Sequence, residues 1–205
     1  MNAVNYQKEL DKILSEIKAS DKLPKLLVHS CCAPCSSYVL EYLSPYFKIT
    51  VLYYNPNISP IEEYEKRKAE QIRLINEGAW KNPIDIMDCD YEGDKYNAAV
   101  KGLENEPEGG ARCKVCFGLR LEEAARLARA NNFDYFVTTL SISPLKDARL
   151  LNGIGNKLGE RYGIKYLPSD FKKREGYKRS IELSRKYNLY RQNFCGCKYS
   201  KASLA

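Results

Sequence analysis

Leu26-Leu27-Val28-His29-Ser30-Cys31-Cys32-Ala33-Pro34-Cys35 is the stretch that decides the fold. Residues 26–29 read as a short buried strand, and residues 36–43 as the helix that follows it. A second strand at 49–54 then completes a strand-helix-strand unit. The helix after it, over 60–76, is well signed at its start. Ser59 can cap it, Pro60 fits its first turn, and Glu62 and Glu63 complement the positive end of its dipole.

The alternation continues. Residues 84–87 read as a strand, 95–103 as a short helix, 104–110 as an acidic Gly-rich loop and 114–130 as a helix. They are followed by a strand at 135–140, a helix at 146–162, a strand at 164–167 and a helix at 177–187. Upstream, Tyr6, Leu10, Ile13, Leu14 and Ile17 recur at helical spacing. Strand-helix alternation of this length predicts an α/β fold with a parallel sheet flanked by helices. We expect one domain over 1–205. An amphipathic helix at 1–20 opens it, and a basic, cysteine-containing segment at 170–205 packs on the site.

Composition narrows the class. With 44% hydrophobic and 29% charged residues the chain has the make-up of a folded protein, not a disordered one. No run reaches the roughly 20 apolar residues that a membrane span needs, so a cytosolic, non-membrane protein is expected. In a reducing compartment clustered cysteines are metal ligands or a catalytic redox pair sooner than structural disulfides. The net charge is +7, and residues 172–198 carry nine Lys or Arg against Glu175 and Glu182, among several aromatics. Such interleaving suits a polyanion with stackable bases, or simply a solvated helix face.

Seven of the eight cysteines fall in three knots: Cys31-Cys32-Ala33-Pro34-Cys35, Cys113-Lys114-Val115-Cys116 and Cys195-Gly196-Cys197. Adjacent cysteines in a strand would face opposite ways, so for Cys31 and Cys32 to serve one site the chain must turn there, and Pro34 makes a turn credible. Cys113 and Cys116 sit one turn apart at a predicted helix start, where the dipole favours thiolates. These four sulfurs make an all-thiolate site open to zinc or to a [4Fe-4S] cluster. An adjacent pair departs from the doubled C-x-x-C of structural zinc, which favours iron-sulfur. Cys195 and Cys197 can close a redox-active disulfide or offer two metal ligands, while Cys35 is a spare thiol able to ligate a second metal. Cys89 reads as a core residue. His29, the sole histidine, reads as packed against backbone before it reads as a ligand. Asp88, Asp90 and Asp147 could supply protons, and nothing local selects among them.

In parallel sheets ligands bind beyond the carboxyl ends of the strands. Three suspicious segments follow strands there: Cys31 to Cys35, Asn55-Pro56-Asn57-Ile58-Ser59 and Ser141-Ile142-Ser143-Pro144. Their hydroxyls and amides suit phosphate or ribose, and also suit helix capping.

Five blocks carry a resemblance: His29-Ser30-Cys31-Cys32-Ala33-Pro34-Cys35, Tyr54-Asn55-Pro56-Asn57-Ile58, Arg112-Cys113-Lys114-Val115-Cys116, Thr138-Thr139-Leu140-Ser141-Ile142-Ser143-Pro144-Leu145-Lys146 and Phe194-Cys195-Gly196-Cys197. In this order the chain resembles the cobalamin-independent epoxyqueuosine reductases of the QueH type. The resemblance implies a Rossmann-like sandwich related to the adenine nucleotide alpha-hydrolase-like fold. It also implies reductive removal of the epoxide oxygen of epoxyqueuosine at the wobble position of tRNAs with GUN anticodons. It further implies a [4Fe-4S] cluster on Cys31, Cys32, Cys113 and Cys116. Cys195 and Cys197 would form a redox pair or bind an additional iron or zinc with Cys35 nearby. A metal beside the cluster would act on the epoxide oxygen as a Lewis acid. An electron donor is required as partner. For the tRNA, the expected contacts are Asn55, Asn57, Ser141, Ser143 and Lys146, with Lys172, Lys173, Arg174, Lys178 and Arg179 meeting phosphates and Tyr177 stacking. Two rivals stand beside this reading. A tRNA sulfur transferase would carry an S-G-G-x-D-S-type loop, absent at Ser30 to Cys35, and a zinc-dependent RNA-binding module would be colourless.

Overall fold

Four successive buried residues leave strand β1 (Lys25–His29) no solvent face, so it must lie inside a sheet covered on both sides. In the computed structural model, which describes residues 4–20 and 22–202 (backbone only for 201 and 202), it does. β1 pairs in parallel with β2 (Lys48–Leu52) on one side and β4 (Tyr135–Thr138) on the other. β3 (Ile84–Met87) extends the sheet beyond β2 and β5 (Lys165–Tyr166) beyond β4, giving the order β3-β2-β1-β4-β5. The expected α/β class and parallel Rossmann-like sheet are thus present.

Alternation along the strands sorts the core into two layers. Leu26, Val28, Ile49, Val51 and Val137 face one way, against helices α1 (Tyr6–Ala19) and α2 (Ala33–Leu43), with Ile75 of α3 (Ile61–Glu77) in the same cluster. Leu27, Leu52 and Phe136 face the other way, against α5 (Ala111–Ala130) and α6 (Ala148–Tyr162). A short helix α4 (Gly93–Ala99) precedes α5, while α7 (Gly176–Lys186) packs on α2 and α8 (Lys198–Ala202) ends the described chain. Gly176 permits the α2–α7 contact, since a Cβ there would stand 2.1 Å from the Phe171 carbonyl oxygen and 2.4 Å from the Tyr38 ring.

The departures from the sequence reading concern boundaries, and most serve the site. β2 and β4 stop at Leu52 and Thr138, two residues short of expectation, because the chain there turns to other partners. Thr138 Oγ1 accepts from Leu140 N, starting a 3₁₀ turn at Thr139–Ile142. α2 begins at Ala33 and α5 at Ala111, each three residues early, which brings Cys35 and Cys113 into first turns. α4 covers 93–99 instead of 95–103. Ser59 is not the cap of α3. Pro60 holds that position, and Ser59 N donates to Gly196 O at 2.9 Å. α6 starts at Ala148 with Asp147 as its cap, so Asp147 is a capping residue. α8 has no counterpart in the sequence reading. Residues 1–3, 21 and 203–205 of the expected terminal segments lie outside the described residues.

Candidate metal and substrate site

Strand order reverses between β1 and β4, where a crevice opens beyond their carboxyl ends. β1 delivers Cys31 and Cys32 into it, Cys32 in extended backbone as the N-cap residue of α2 and Cys35 one turn in. Their three sulfurs lie within 4.8 Å of one another, with Cys31 and Cys32 at 3.9 Å. β4 braces the turn, as Thr139 Oγ1 accepts from Cys31 N at 3.3 Å and touches Cys31 Sγ at 3.5 Å.

α5 brings the second knot. Gly109 N donates to Cys113 Sγ at 3.2 Å, and Arg120 Nη1 stands 4.0 Å from Cys116 Sγ. The third knot arrives on the C-terminal segment. Arg67 Nη1 of α3 donates to Cys195 O at 3.2 Å, and Gly196 sits at φ +98°, a conformation that glycine alone adopts cheaply. Cys197 Sγ meets the Tyr96 hydroxyl at 3.1 Å, and both share a buried cluster with Val100 and Cys116. Knots two and three therefore meet. Cys31, Cys32 and Cys35 form the one set of three ligand atoms at such mutual distances among the described residues.

Two cations link the knots. Arg120 is 2% exposed and has no carboxylate partner among the described residues. It donates to Asn55 Oδ1, lies 3.3 Å from His29 Nε2 and attracts charge on Cys116, Cys31 and Cys195. Lys146, half-buried and likewise without a carboxylate, loses basicity to desolvation but more than regains it from Cys195, Cys31 and Cys35. Hydrogen bonds from the Cys32 and Cys35 sulfhydryls hold the Cys31 thiol well below its ordinary range, with Arg120 and Lys146 adding attraction against the cost of burial. Cys32 is correspondingly pushed up to about 12, mainly by that bond to Cys31, and burial pushes Cys116 up to about 12. Burial, aided by Arg120, lowers His29 to about 3, so the ring is neutral. It lies against Thr138 Oγ1 at 2.8 Å and Tyr54 O at 3.1 Å, the packed histidine that the sequence suggested.

A cavity of ≈ 550 Å³ opens over Cys31, Cys32, Cys35 and Cys195, bounded by Arg67, Lys146, Arg191, Phe194 and Tyr177. Ser143 and Lys146 line it as well. Asn55, Asn57 and Ser141 are buried behind it. Asn55 Nδ2 donates to Ser30 O at 2.8 Å, and Ser141 Oγ lies 3.3 Å from Ser169 Oγ. Of the five basic residues from Lys172 to Arg179, four are answered by acids. Lys172 pairs with Asp170, Arg174 with Asp11, Lys178 with Glu175, and Arg179 with Glu41 and Glu182, while Lys173 has no acid partner among the described residues. Cys89 stands apart from the knots, its thiol donating to Tyr53 O. Asp88 pairs with Lys68 on the surface. Glu108 is the carboxylate that lines the cavity.

Arg67, Tyr96, Glu108 and Arg120 escaped the sequence reading. Only Arg120 left a trace there, lying one helical turn beyond Cys116.

A family profile described as epoxyqueuosine reductase QueH matches residues 26–203. The epoxyqueuosine reductase QueH of Staphylococcus epidermidis is 44% identical over 201 residues, covering 96% of this chain and 84% of that protein. That of Streptococcus pyogenes is 42% identical over 199 residues, with coverage of 96% and 78%. That of Thermotoga maritima is 34% identical over 181 residues, with coverage of 85% and 89%.

Proposed function

The chain belongs to the epoxyqueuosine reductase QueH family, and from that membership we propose that it is an oxidoreductase converting epoxyqueuosine to queuosine at the wobble position of tRNA. The reaction turns an epoxide into an alkene, taking up two electrons and two protons and releasing the oxygen as water. A dithiol can supply two electrons and two protons by closing a disulfide, and a metal group beside it would polarise the epoxide oxygen and relay electrons from a donor.

The residues present fit such a group. Four thiols drawn from all three knots, Cys31, Cys35, Cys116 and Cys195, act on Arg120 and Lys146, two cations without carboxylate partners among the described residues. This observation carries the proposal, because thiolates around iron supply the missing negative charge. Tyr53 Oη, Arg67 Nη2 and Gln71 Nε2 are also buried without a hydrogen-bond partner, donors waiting for an acceptor. In our reading Cys31, Cys32, Cys113 and Cys116 hold a [4Fe-4S] cluster, which when bound supplies electrons one at a time. Cys35, Cys195 and Cys197 remain for a second redox element, an additional iron or zinc or a dithiol pair. One observation favours a different partition. A tetrahedral ion with bonds of about 2.3 Å spaces its sulfurs by about 3.8 Å, close to the 3.9 Å between Cys31 and Cys32. Under that reading Cys35 joins Cys31 and Cys32 on a single ion that faces the cavity.

The chain's own residues do the rest. Lys146 Nζ presents a proton to the departing oxygen, Arg67 fixes the loop that carries Cys195, and Ser143, Lys173 and Tyr177 meet the RNA, with the acid-paired Lys172, Arg174, Lys178 and Arg179 at the margin of the contact. We read residues 1–205 as one α/β domain whose C-terminal segment closes over the site. An electron donor and a tRNA are its partners.

Anaerobically purified protein should contain about four iron and four sulfide per chain and convert epoxyqueuosine in tRNA, read by mass analysis of nucleosides. Cys113→Ala should abolish conversion. Undiminished conversion by that variant would overturn the cluster assignment, and iron without sulfide would favour the single-ion partition.

A further inference from the structure

Leu145 is 81% exposed, far more than any other large apolar side chain among the described residues. It stands on the cavity rim beside Lys146, whose ammonium turns inward to the thiols. The turn that displays it is held at several points. Ser143 N donates to Leu140 O at 3.2 Å, Leu145 N to Ser143 Oγ at 3.3 Å and Lys146 N to Ser143 O at 3.2 Å. Lys172 Nζ bonds the carbonyls of Ser141 and Lys146, and Asp147 anchors the following helix. An apolar side chain braced in this way is presented to a partner. Tyr177, 38% exposed, lines the same cavity.

The cavity identifies the partner. With Arg67 paired to Glu63, Lys146 and Arg191 still outnumber Glu108 along its wall, so it favours an anion, and ≈ 550 Å³ is the size of a pocket for one nucleotide-sized ligand. A nucleotide enters only by leaving its neighbours in the RNA stack. Nucleic-acid-binding proteins fill the resulting gap with an apolar wedge, and aromatic faces stack on the bases left exposed.

We propose that Leu145 is a wedge that enters the base stack of the tRNA anticodon loop as the wobble nucleotide is drawn into the cavity, with Tyr177 stacking on an adjacent base. This deepens the proposed function and rests on its substrate.

The test uses an anticodon stem-loop RNA with a GUN anticodon whose U, immediately 3′ of the wobble nucleotide, is replaced by a fluorescent uridine analogue that stacking quenches. Saturating wild-type protein should raise the fluorescence about threefold or more as that base loses its stacking partner. Leu145→Ala should bind the RNA within about threefold of wild type, since the phosphate contacts remain, yet lose most of the rise. Leu145→Met should keep it. Circular dichroism verifies that the variants, altered at an exposed position, are folded. An undiminished rise with Leu145→Ala overturns the wedge alone. Failure of wild-type protein to bind the stem-loop would instead remove the substrate reading, and the wedge with it.

Discussion

Replacing Arg120 by methionine should affect the thiol and thiolate states of the site very differently. The guanidinium is buried among Asn55 Oδ1, His29 Nε2 at 3.3 Å and Cys116 Sγ at 4.0 Å, with no carboxylate partner among the described residues. While the cysteines are protonated, methionine forfeits a charge-assisted hydrogen bond worth about 1.5–3 kcal/mol. It also removes the desolvation penalty of a buried cation, which is several kcal/mol. These nearly cancel, so the reduced, metal-free variant should lose no more than about 1 kcal/mol, roughly 2–4 °C in Tm for a chain of this size. Once a sulfur 4.0 Å away carries charge, the balance turns. Opposite charges at that distance attract by about 4 kcal/mol at an effective dielectric constant of 20, about three powers of ten in favour of thiolate. Iron-loaded Arg120→Met should therefore release iron and sulfide to a chelator far faster than wild type. Calorimetry of metal-free protein and chelator-release kinetics measure the two arms. A variant that melts 10 °C lower without metal, yet keeps iron as wild type does, would refute the reasoning and make Arg120 a structural brace.

The depressed Cys31 thiol predicts that iodoacetamide at pH 7 labels Cys31 before Cys32 and Cys116 in reduced, metal-free protein, whereas Cys32 and Cys116, both near 12, react faster as pH rises. Peptide mass analysis reads this, and earlier labelling of Cys116 contradicts it. Gly176→Ala forces α7 off α2 and should cost about 2–3 kcal/mol, seen as a lower Tm; an unchanged Tm would mean that the Phe171 backbone yields freely. Tyr96→Phe deletes the 3.1 Å contact with Cys197 at almost constant shape, so a loss of about 1 kcal/mol and faster maleimide labelling of Cys197 are expected. If neither changes, that contact is incidental. Four of the five basic residues between Lys172 and Arg179 have acid partners. The slope of log affinity for the stem-loop against log salt should therefore be shallower than the roughly 3.5 expected of five free charges on single-stranded RNA. A slope at or above that value would show that the pairs open on binding.

The fold was legible because its signals are local. The buried run 26–29, the signed helix after Pro60 and the Gly-rich break before Cys113 each announce an element within about ten residues. The boundaries misread at Ser59 and Leu140 lie where another partner takes the backbone N–H, a distant carbonyl at Ser59 and a side chain two residues back at Leu140. Ser59 N is taken by Gly196 O, and the backbone after Thr138 by that residue's own hydroxyl.

What the sequence determined by itself is the parallel α/β sheet, the family and the grouping of cysteines into three knots, since periodicity and motif order are written along the chain. Only the tertiary structure decided which sulfurs stand together, because that depends on strand order. Cys31 meets Thr139, 108 residues away, since β1 pairs with β4. Cys197 meets Tyr96 on α4, and Arg120 is left among thiols with no acid to answer it among the described residues. The same holds for the basic run, which in sequence looks free for RNA and in space lies against Asp11 of α1 and Glu41 of α2. Charge is a property of the chain, whereas its neutralisation depends on what the fold sets within 4 Å.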